Sequence, residues 1–414
     1  MSCDAIVVGA GPAGCTAAIL LARAGVRVIL LDRSAAPPPK VCGEYLSPGC
    51  QPILDEVGAL QPLRDAGARP LSGMLIHTAG GQSLRATYPH GAGHEGPPAH
   101  ALAIRRDRLD PMLLDLAITT GADYTPSFQV GDLVREDDGV VGVRGRYRGG
   151  MATLHGRLII GADGRNSEVA RRIGTVRRHP QLDKVGLVGY VAGATRAEDV
   201  GEIFLGRDRY CILNPIGPDL TNIGLVINRR EFHGTTDPAG FLREAGTTLN
   251  GLADRLGSAR PVAPVRCLGP LAHRATRVTA PGALLIGDAA GFLDPFTGEG
   301  IHAALRSAEL AVGAALPALL AGPPGPPECH GYAAAWQREF GAKWRLCTAL
   351  QLAIRRPALA EWLVSRLRRR PTLTTFLMAA VGDLIPAQDV RPLGLLARLL
   401  AGEDRPQTYP PASR

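Results

Sequence analysis

Residues 4 to 32 constrain this chain more than any other segment. They begin Asp4-Ala-Ile-Val-Val-Gly9-Ala-Gly11-Pro-Ala-Gly14, pass through an apolar stretch, and close with Val26 to Leu31 followed by Asp32. Ile6, Val7 and Val8 form a short β-branched run of the kind expected of a strand buried on both faces. Gly9 allows a tight turn, Gly11 lets a pyrophosphate approach the backbone, and Gly14 lets the next helix pack close to the strand. That helix is predicted from Pro12 to Ala24, with Pro near its start and Gly25 past its end. Its first N–H groups and positive dipole end make an anion site. Asp32, ending the second strand, is placed to accept hydrogen bonds from ribose hydroxyls. A parallel α/β unit that binds a dinucleotide follows, and which dinucleotide stays open at this point.

A chain of 414 residues with 45% hydrophobic and 20% charged residues is an ordinary globular protein with room for two or three domains. The net charge is +8, and the only lysines among the basic residues are Lys40, Lys184 and Lys343. Aromatic residues make up only 5%, with no basic-aromatic platform, so nucleic acid is not expected as a partner. Eight cysteines are scattered without a CxxC pair or zinc spacing, which reads as free thiols in a reducing cytoplasm. His90, His94 and His100 lie in a Gly/Pro-rich loop unsuited to holding a metal, so no metal site is expected. No signal-like segment precedes the first strand, and no run of 18 apolar residues is present. A cytoplasmic location is the expectation.

Along the chain, Met74 to His77 reads as a strand, Arg106 to Ala117 as an amphipathic helix, and Val140 to Tyr147 with Leu154 to Ile160 as hairpin strands. A strand-rich region spans Leu187 to Asn228, and Ala283 to Ile286 returns to a buried strand before a long helix from Gly300. Ala321-Gly-Pro-Pro-Gly-Pro-Pro327 is a linker, and residues 332 to 400 are helical in pattern, broken at Pro357, Pro371 and Pro386. The predicted organisation is a discontinuous nucleotide domain (1–73, 101–175, 268–320), a substrate domain (74–100, 176–267) and a C-terminal helical region (328–414). The fold class is therefore α/β, with an inserted α+β domain.

Two later segments narrow the nucleotide. Leu158-Ile-Ile-Gly161-Ala-Asp163-Gly164 and Leu284-Leu-Ile-Gly287-Asp288 each place an acid just past an apolar strand. Pro295-Phe-Thr-Gly298-Glu-Gly300-Ile301 then runs into an apolar helix whose first N–H groups can face a delocalised anion. With the opening motif, these segments resemble the FAD-dependent flavoproteins that include aromatic-ring hydroxylases, geranylgeranyl reductases and flavin-dependent halogenases. The resemblance covers residues 4 to 310 and implies a Rossmann-like FAD-binding domain of the glutathione-reductase type. It assigns Gly9, Gly11, Pro12, Ala13 and Gly14 to the pyrophosphate, and Asp32 with the adjoining Arg33 to the adenosine end. Lys40 and Arg106 would contact the cofactor, and Asp163 would serve both FAD and NAD(P)H. Asp288 would hold the ribityl chain, while Pro295, Gly298, Gly300 and Ile301 would face the flavin.

Within that group, Lys40-Val-Cys42-Gly43 resembles a motif of geranylgeranyl reductases in which the cysteine lies near the flavin. The substrate-domain motif of those reductases, Tyr-x-Trp-x-Phe-Pro, reads here Tyr210-Cys-Ile-Leu-Asn214-Pro215, and the halogenase motif Trp-x-Trp-x-Ile-Pro is missing. The expected function is thus NAD(P)H-driven monooxygenation of a hydrophobic aromatic, polyketide or isoprenoid molecule through a flavin hydroperoxide. Reduction of isoprenoid double bonds is the alternative, and a non-catalytic carrier on the same fold is a third reading. Cys42 and Tyr210 are the catalytic candidates, with Glu44, Tyr45 and Asn214 lining the cavity. The helices around Trp362, Leu363, Leu367 and Arg366 to Arg370 are expected either to pack as core with a solvated basic face, or to cap the site or touch a membrane surface.

Overall fold

The computed structural model describes residues 2–90, 98–137, 139–232, 237–321, 326–327, 329, 331–390 and 399. The first strand, Ser2–Val8, pairs in parallel with Val28–Leu31 on one side and Gly150–Gly161 on the other. Asp123–Thr125 continues the sheet in parallel beyond Val28–Leu31, and Ala283–Leu285 does so beyond Gly150–Gly161. Ile6, Val7 and the residues beside them are fully buried, as a doubly covered parallel sheet requires. The register aligns Leu31, Val8, Gly161 and Leu285 in one row, so four chain segments leave the sheet at the same edge. The helix Pro12–Arg23 covers one face, packed against Arg106–Thr120 and Gly300–Ala321.

The Gly300–Ala321 helix has the length and apolar composition of a membrane span. Its Ile301, Leu305, Ala308, Ala311 and Val312 are instead buried in the main core, the packing of an interior helix. The predicted hairpin strands exist as Gly139–Tyr147 and Gly150–Gly161, and a third strand, Gln129–Glu136, extends them into a meander. That strand escapes a reading by alternation because Leu133 is its only buried residue, flanked by half-buried Asp132 and Val134 and followed by exposed Arg135 and Glu136.

A second sheet runs Arg260–Pro261, Lys184–Ala192, Leu220–Asn228, Tyr210–Pro215, Gly201–Leu205, Gly73–His77, Ser83–Thr87. Its neighbours are antiparallel except that Gly201–Leu205 runs parallel to Gly73–His77. Two three-stranded sheets link it to the first: Tyr45–Leu46 with Ala101–Ala103 and Arg69–Leu71, and Val176–Arg178 with His273–Ala275 and Gly291–Phe292. The helices Tyr332–Ile354, Pro357–Arg368 and Pro371–Val381 follow, the last two each started by the proline that breaks the pattern in sequence. Trp362, Leu363 and Leu367 pack in a cluster with Leu346, Leu373 and Phe376. The basic face expected there is interrupted, because Arg370 turns inward and donates to the Arg366 carbonyl at 2.9 Å. Residues 91–97, with His94, the centre of the 321–327 linker and most of 391–414 lie outside the described residues.

The helix that carries the first glycines touches the strand turn directly. A Cβ on Gly14 would lie 1.8 Å from the carbonyl oxygen of Gly9, and one on Gly9 would lie 2.4 Å from that of Ala162. Gly14→Ala is therefore expected to lower stability by about 1–3 kcal/mol through overpacking, read as a shift in the urea midpoint of flavin-free protein.

Candidate active site

The aligned strand ends place the candidate residues along one edge. Asp32 accepts from the Ala10 N–H at 2.9 Å and the Ser34 N–H at 2.7 Å, so its carboxylate braces the glycine turn. Arg33 beside it is exposed, whereas Pro12, Ala13 and Gly14 are buried in the first helical turn. Gly11 differs from its neighbours, because a methyl group there would meet nothing within 4 Å. Open space therefore lies in front of the helix N-terminus, where its free N–H groups point.

Asp288 follows the Ala283–Leu285 strand, and burial pushes its carboxyl up while the charges of His273, Arg106, Arg165 and Lys40 oppose that shift. Four segments distant in sequence thus converge on one acid. Lys40 is pushed down by burial and by the Arg106 charge, and Asp110 and Asp32 counter this. Arg106 opens its helix and clasps Asp110 in a two-point ion pair of 2.6 and 2.8 Å. Its guanidinium also faces Cys42, whose thiol is pushed up by burial and pulled down by that charge.

The loop that carries Cys42 is gripped from the second sheet. Asn222 donates to the Cys42 carbonyl at 3.0 Å and Asn214 to the Gly43 carbonyl at 2.7 Å, the two asparagines being cross-strand partners. Glu44, in a left-handed conformation (φ 55°), accepts from the Arg106 N–H at 3.1 Å and the Tyr190 hydroxyl at 2.7 Å. Its other oxygen is buried without a hydrogen-bond partner, and burial raises its carboxyl.

Beyond Asp288, Asp294 caps the short turn Pro295–Thr297 by accepting from the Phe296 N–H at 2.9 Å. Gly298 (φ +70°) lies against the Tyr45 ring, where a Cβ would come within 2.6 Å of the ring edge. Gly298 and Gly300 are half-buried, and Ile301 is buried in the helix that they start. Glu299 between them points into a buried ionic cluster that sequence reasoning did not find. Its Oε1 accepts from the Cys347 thiol at 2.7 Å and lies 3.5 Å from the Lys343 ammonium. Lys343 also binds Asp383 at 2.7 Å, and Asp383 lies 3.3 Å from His302 Nδ1 and accepts from the Ser47 hydroxyl at 2.7 Å. One signal was available: in an arginine-rich chain, Lys343 and Lys184 are both fully buried in polar networks and Lys40 is half-buried near Asp288.

Two candidates spend their polar groups elsewhere. The Asp163 carboxylate caps the helix Glu168–Ile173, accepting from the Ser167 hydroxyl at 2.5 Å and the Glu168 N–H at 2.6 Å. The Tyr210 hydroxyl donates to Asp294, and Gln351 donates to the same oxygen at 2.8 Å while Lys184 lies 3.4 Å from the other. Tyr210 is thus a buried anchor between the second sheet and the turn before Gly298. Among the described residues no group of histidine, cysteine and acid side chains could hold a metal, and all eight cysteines are free.

A family model described as an FAD binding domain matches residues 2–329. The chain belongs to that family. The menaquinone reductase of Mycolicibacterium smegmatis is 27% identical over 411 residues, covering 93% of each chain. A digeranylgeranylglycerophospholipid reductase of Methanopyrus kandleri is 27% identical over 355 residues, covering 83% of this chain and 85% of its own. The flavin-dependent brominase Bmp2 shares the fold, with TM-score 0.81 and 17% identity over 92% of this chain and 94% of that one. The protein is an FAD-dependent oxidoreductase, and its residues fit the cofactor. The space before Gly11 suits a pyrophosphate, and the half-buried Gly298 and Gly300 leave backbone open to a ring.

Two outcomes test this geometry. Gly11→Ala sets a methyl group in the open space with no protein atom within 4 Å, so the variant should fold with unchanged secondary structure by circular dichroism yet lose much of its flavin absorbance on purification. Asp383→Asn leaves the buried Lys343 without its nearest carboxylate and should cost about 3–5 kcal/mol at neutral pH. Burial pulls the Asp383 carboxyl up, but His302, Lys343 and the Ser47 hydroxyl outweigh it and hold it below its ordinary value. Its contribution is therefore complete above about pH 4 and is lost as pH falls through the folded-state value. In acid titrations followed by fluorescence, the difference between wild type and variant should shrink over that range.

Proposed function

We propose that this flavoenzyme reduces an isoprenoid carbon–carbon double bond in a lipid-like substrate, with a nicotinamide dinucleotide as electron source. The observation that carries the reading is the immobilised thiol of Cys42 beside Arg106. Bound FAD supplies the electron pair for such a reduction, and the chain must then supply a proton at the second carbon. Burial keeps the Cys42 thiol protonated at neutral pH, and the Arg106 charge stabilises the thiolate left after transfer. Asn214 and Asn222 hold the loop carbonyls and so fix where that proton is delivered. The names of the two reductase relatives, acting on a menaquinone and a digeranylgeranyl lipid, point the same way.

Monooxygenation is the second reading, and residues 210–215 favour it. Ile212 and Asn214 stand where the reductase motif carries Trp and Phe, and the Asn214 amide is spent on the Gly43 carbonyl. Incubating the pre-reduced enzyme with a polyprenyl quinone under nitrogen, then in air, separates the two readings by product mass. Two added hydrogens under nitrogen that persist after the head group is chemically reoxidised to the quinone support reduction of the chain. One added oxygen in air, with no product under nitrogen, overturns it. Cys42→Ser should slow the reduction about a hundredfold with flavin content unchanged, and undiminished turnover would remove Cys42 as the proton donor.

A further inference from the structure

A cleft of about 570 Å³ opens between the sheet formed by Val176–Arg178, His273–Ala275 and Gly291–Phe292 and the helix Tyr332–Ile354. Arg177, Arg178, Arg274 and Arg345 line it, and no aspartate or glutamate does. Some exposed arginines elsewhere meet carboxylates, as in Arg27 with Asp4, Arg85 with Asp199 and Arg229 with Asp183, but here four without one gather around a single cleft. None of the four cleft arginines has a carboxylate within ion-pairing distance among the described residues. Arg177 and Arg274 even stand directly opposite on antiparallel strands, and the Arg178 charge bears on Arg165 behind it. Like charges so placed destabilise the free protein. An anion of more than one charge seated between them removes that cost.

The rest of the cleft restricts the ligand further. Trp344, Phe292, Leu293 and Ala349 form apolar walls, and the Arg274 guanidinium lies 5.1 and 5.6 Å from the Trp336 and Trp344 rings. Arg274 is fixed there by donating to Gln337 at 2.9 Å. The volume falls in the range of sites for compact organic ligands, well beyond what one inorganic phosphate fills. Guanidinium groups and flat rings together suit phosphates attached to a planar base.

The cleft also backs onto the flavin-facing segment. Phe292 lines it and lies 3.3 Å from where a Cβ on Gly300 would stand, while His273 Nε2 is 2.8 Å from the Asp288 carbonyl. We propose that this cleft holds the adenosine bisphosphate half of a phosphorylated pyridine dinucleotide. The inference rests on the reading that such a dinucleotide is the electron source. It makes the enzyme selective for the 2′-phosphorylated donor, because the arginines need the extra charge that the unphosphorylated form lacks.

The test is calorimetric titration of the FAD-loaded enzyme with 2′,5′-ADP, 5′-AMP and inorganic phosphate. The wild type is compared with the double variant Arg177→Ser, Arg178→Ser and with Arg345→Ser. These arginines are exposed, so thermal melts should show no loss of stability and flavin content should match wild type. The 2′,5′-ADP should bind at least about tenfold tighter than 5′-AMP or phosphate, weaken about tenfold in each variant, and weaken steeply with salt. No binding of 2′,5′-ADP, or equal binding in all variants, overturns the proposal. Equal affinity for inorganic phosphate reduces the cleft to a simple anion site and overturns it too. Arginine-dependent binding to phosphatidylglycerol vesicles without binding of 2′,5′-ADP would instead make this face a membrane contact. Product formation by dithionite-reduced enzyme does not need the cleft. Its persistence without nucleotide binding defeats this inference alone, and nucleotide binding without a hydrogenated product defeats the functional reading alone.

Discussion

The parallel register of the first sheet is the constraint on which the site depends. Leu31, Val8, Gly161 and Leu285 stand in one row, held by links such as Gly9 N–H to the Leu31 carbonyl at 2.7 Å and Ile286 N–H to the Gly161 carbonyl at 2.9 Å. Each strand ends there, and the next few residues carry Asp32, the glycine turn, Asp163 and Asp288. Open α/β sheets gather ligands at the carboxyl ends of their strands for this reason. A slip by one residue would flip the buried side chains and misplace every one of these turns.

A second constraint comes from the far end of the chain. Lys343, in the helix Tyr332–Ile354, and Asp383, just past the helix Pro371–Val381, meet Glu299 and His302 at the start of the Gly300–Ala321 helix. Ion pairs taken out of water do not add stability cheaply, since desolvation offsets much of their attraction. What they do contribute is position: removing one partner strands a buried charge, so the helices cannot drift from the segment that they cover. The Gly49 N–H to Gly382 carbonyl bond at 3.0 Å and the Ser47 hydroxyl on Asp383 extend this clamp to the loop after Cys42.

The second sheet performs a similar role on the opposite side. Asn214 and Asn222 hold the Cys42 loop by its carbonyls, and Tyr210 ties the same strand to Asp294. Tyr210 therefore acts as a structural link rather than as a group that faces open space. The Cys42 loop and the turn before Gly298 are consequently framed by three separate parts of the chain.

The sequence by itself determined the local devices. Gly9 and Gly14 stand where a side chain would meet backbone, Gly11 leaves space before the helix, and the acids after each apolar run follow from strand endings, so the nucleotide fold was legible, while FAD came from the resemblance that these motifs carry together. Helix starts at Pro357 and Pro371 were legible for the same reason, because proline fixes its own dihedral wherever it stands. Tertiary structure alone decided that Tyr210 would tie to Asp294, that Glu299 would meet Lys343, and that Arg177 would face Arg274. Those outcomes depend on partners in other elements of the chain, and such a partner is set by packing rather than by neighbours in sequence. The opening glycine motif locates the cofactor, while the surroundings of Cys42 and the charge of the arginine cleft exist only once the sheets and helices have closed around them.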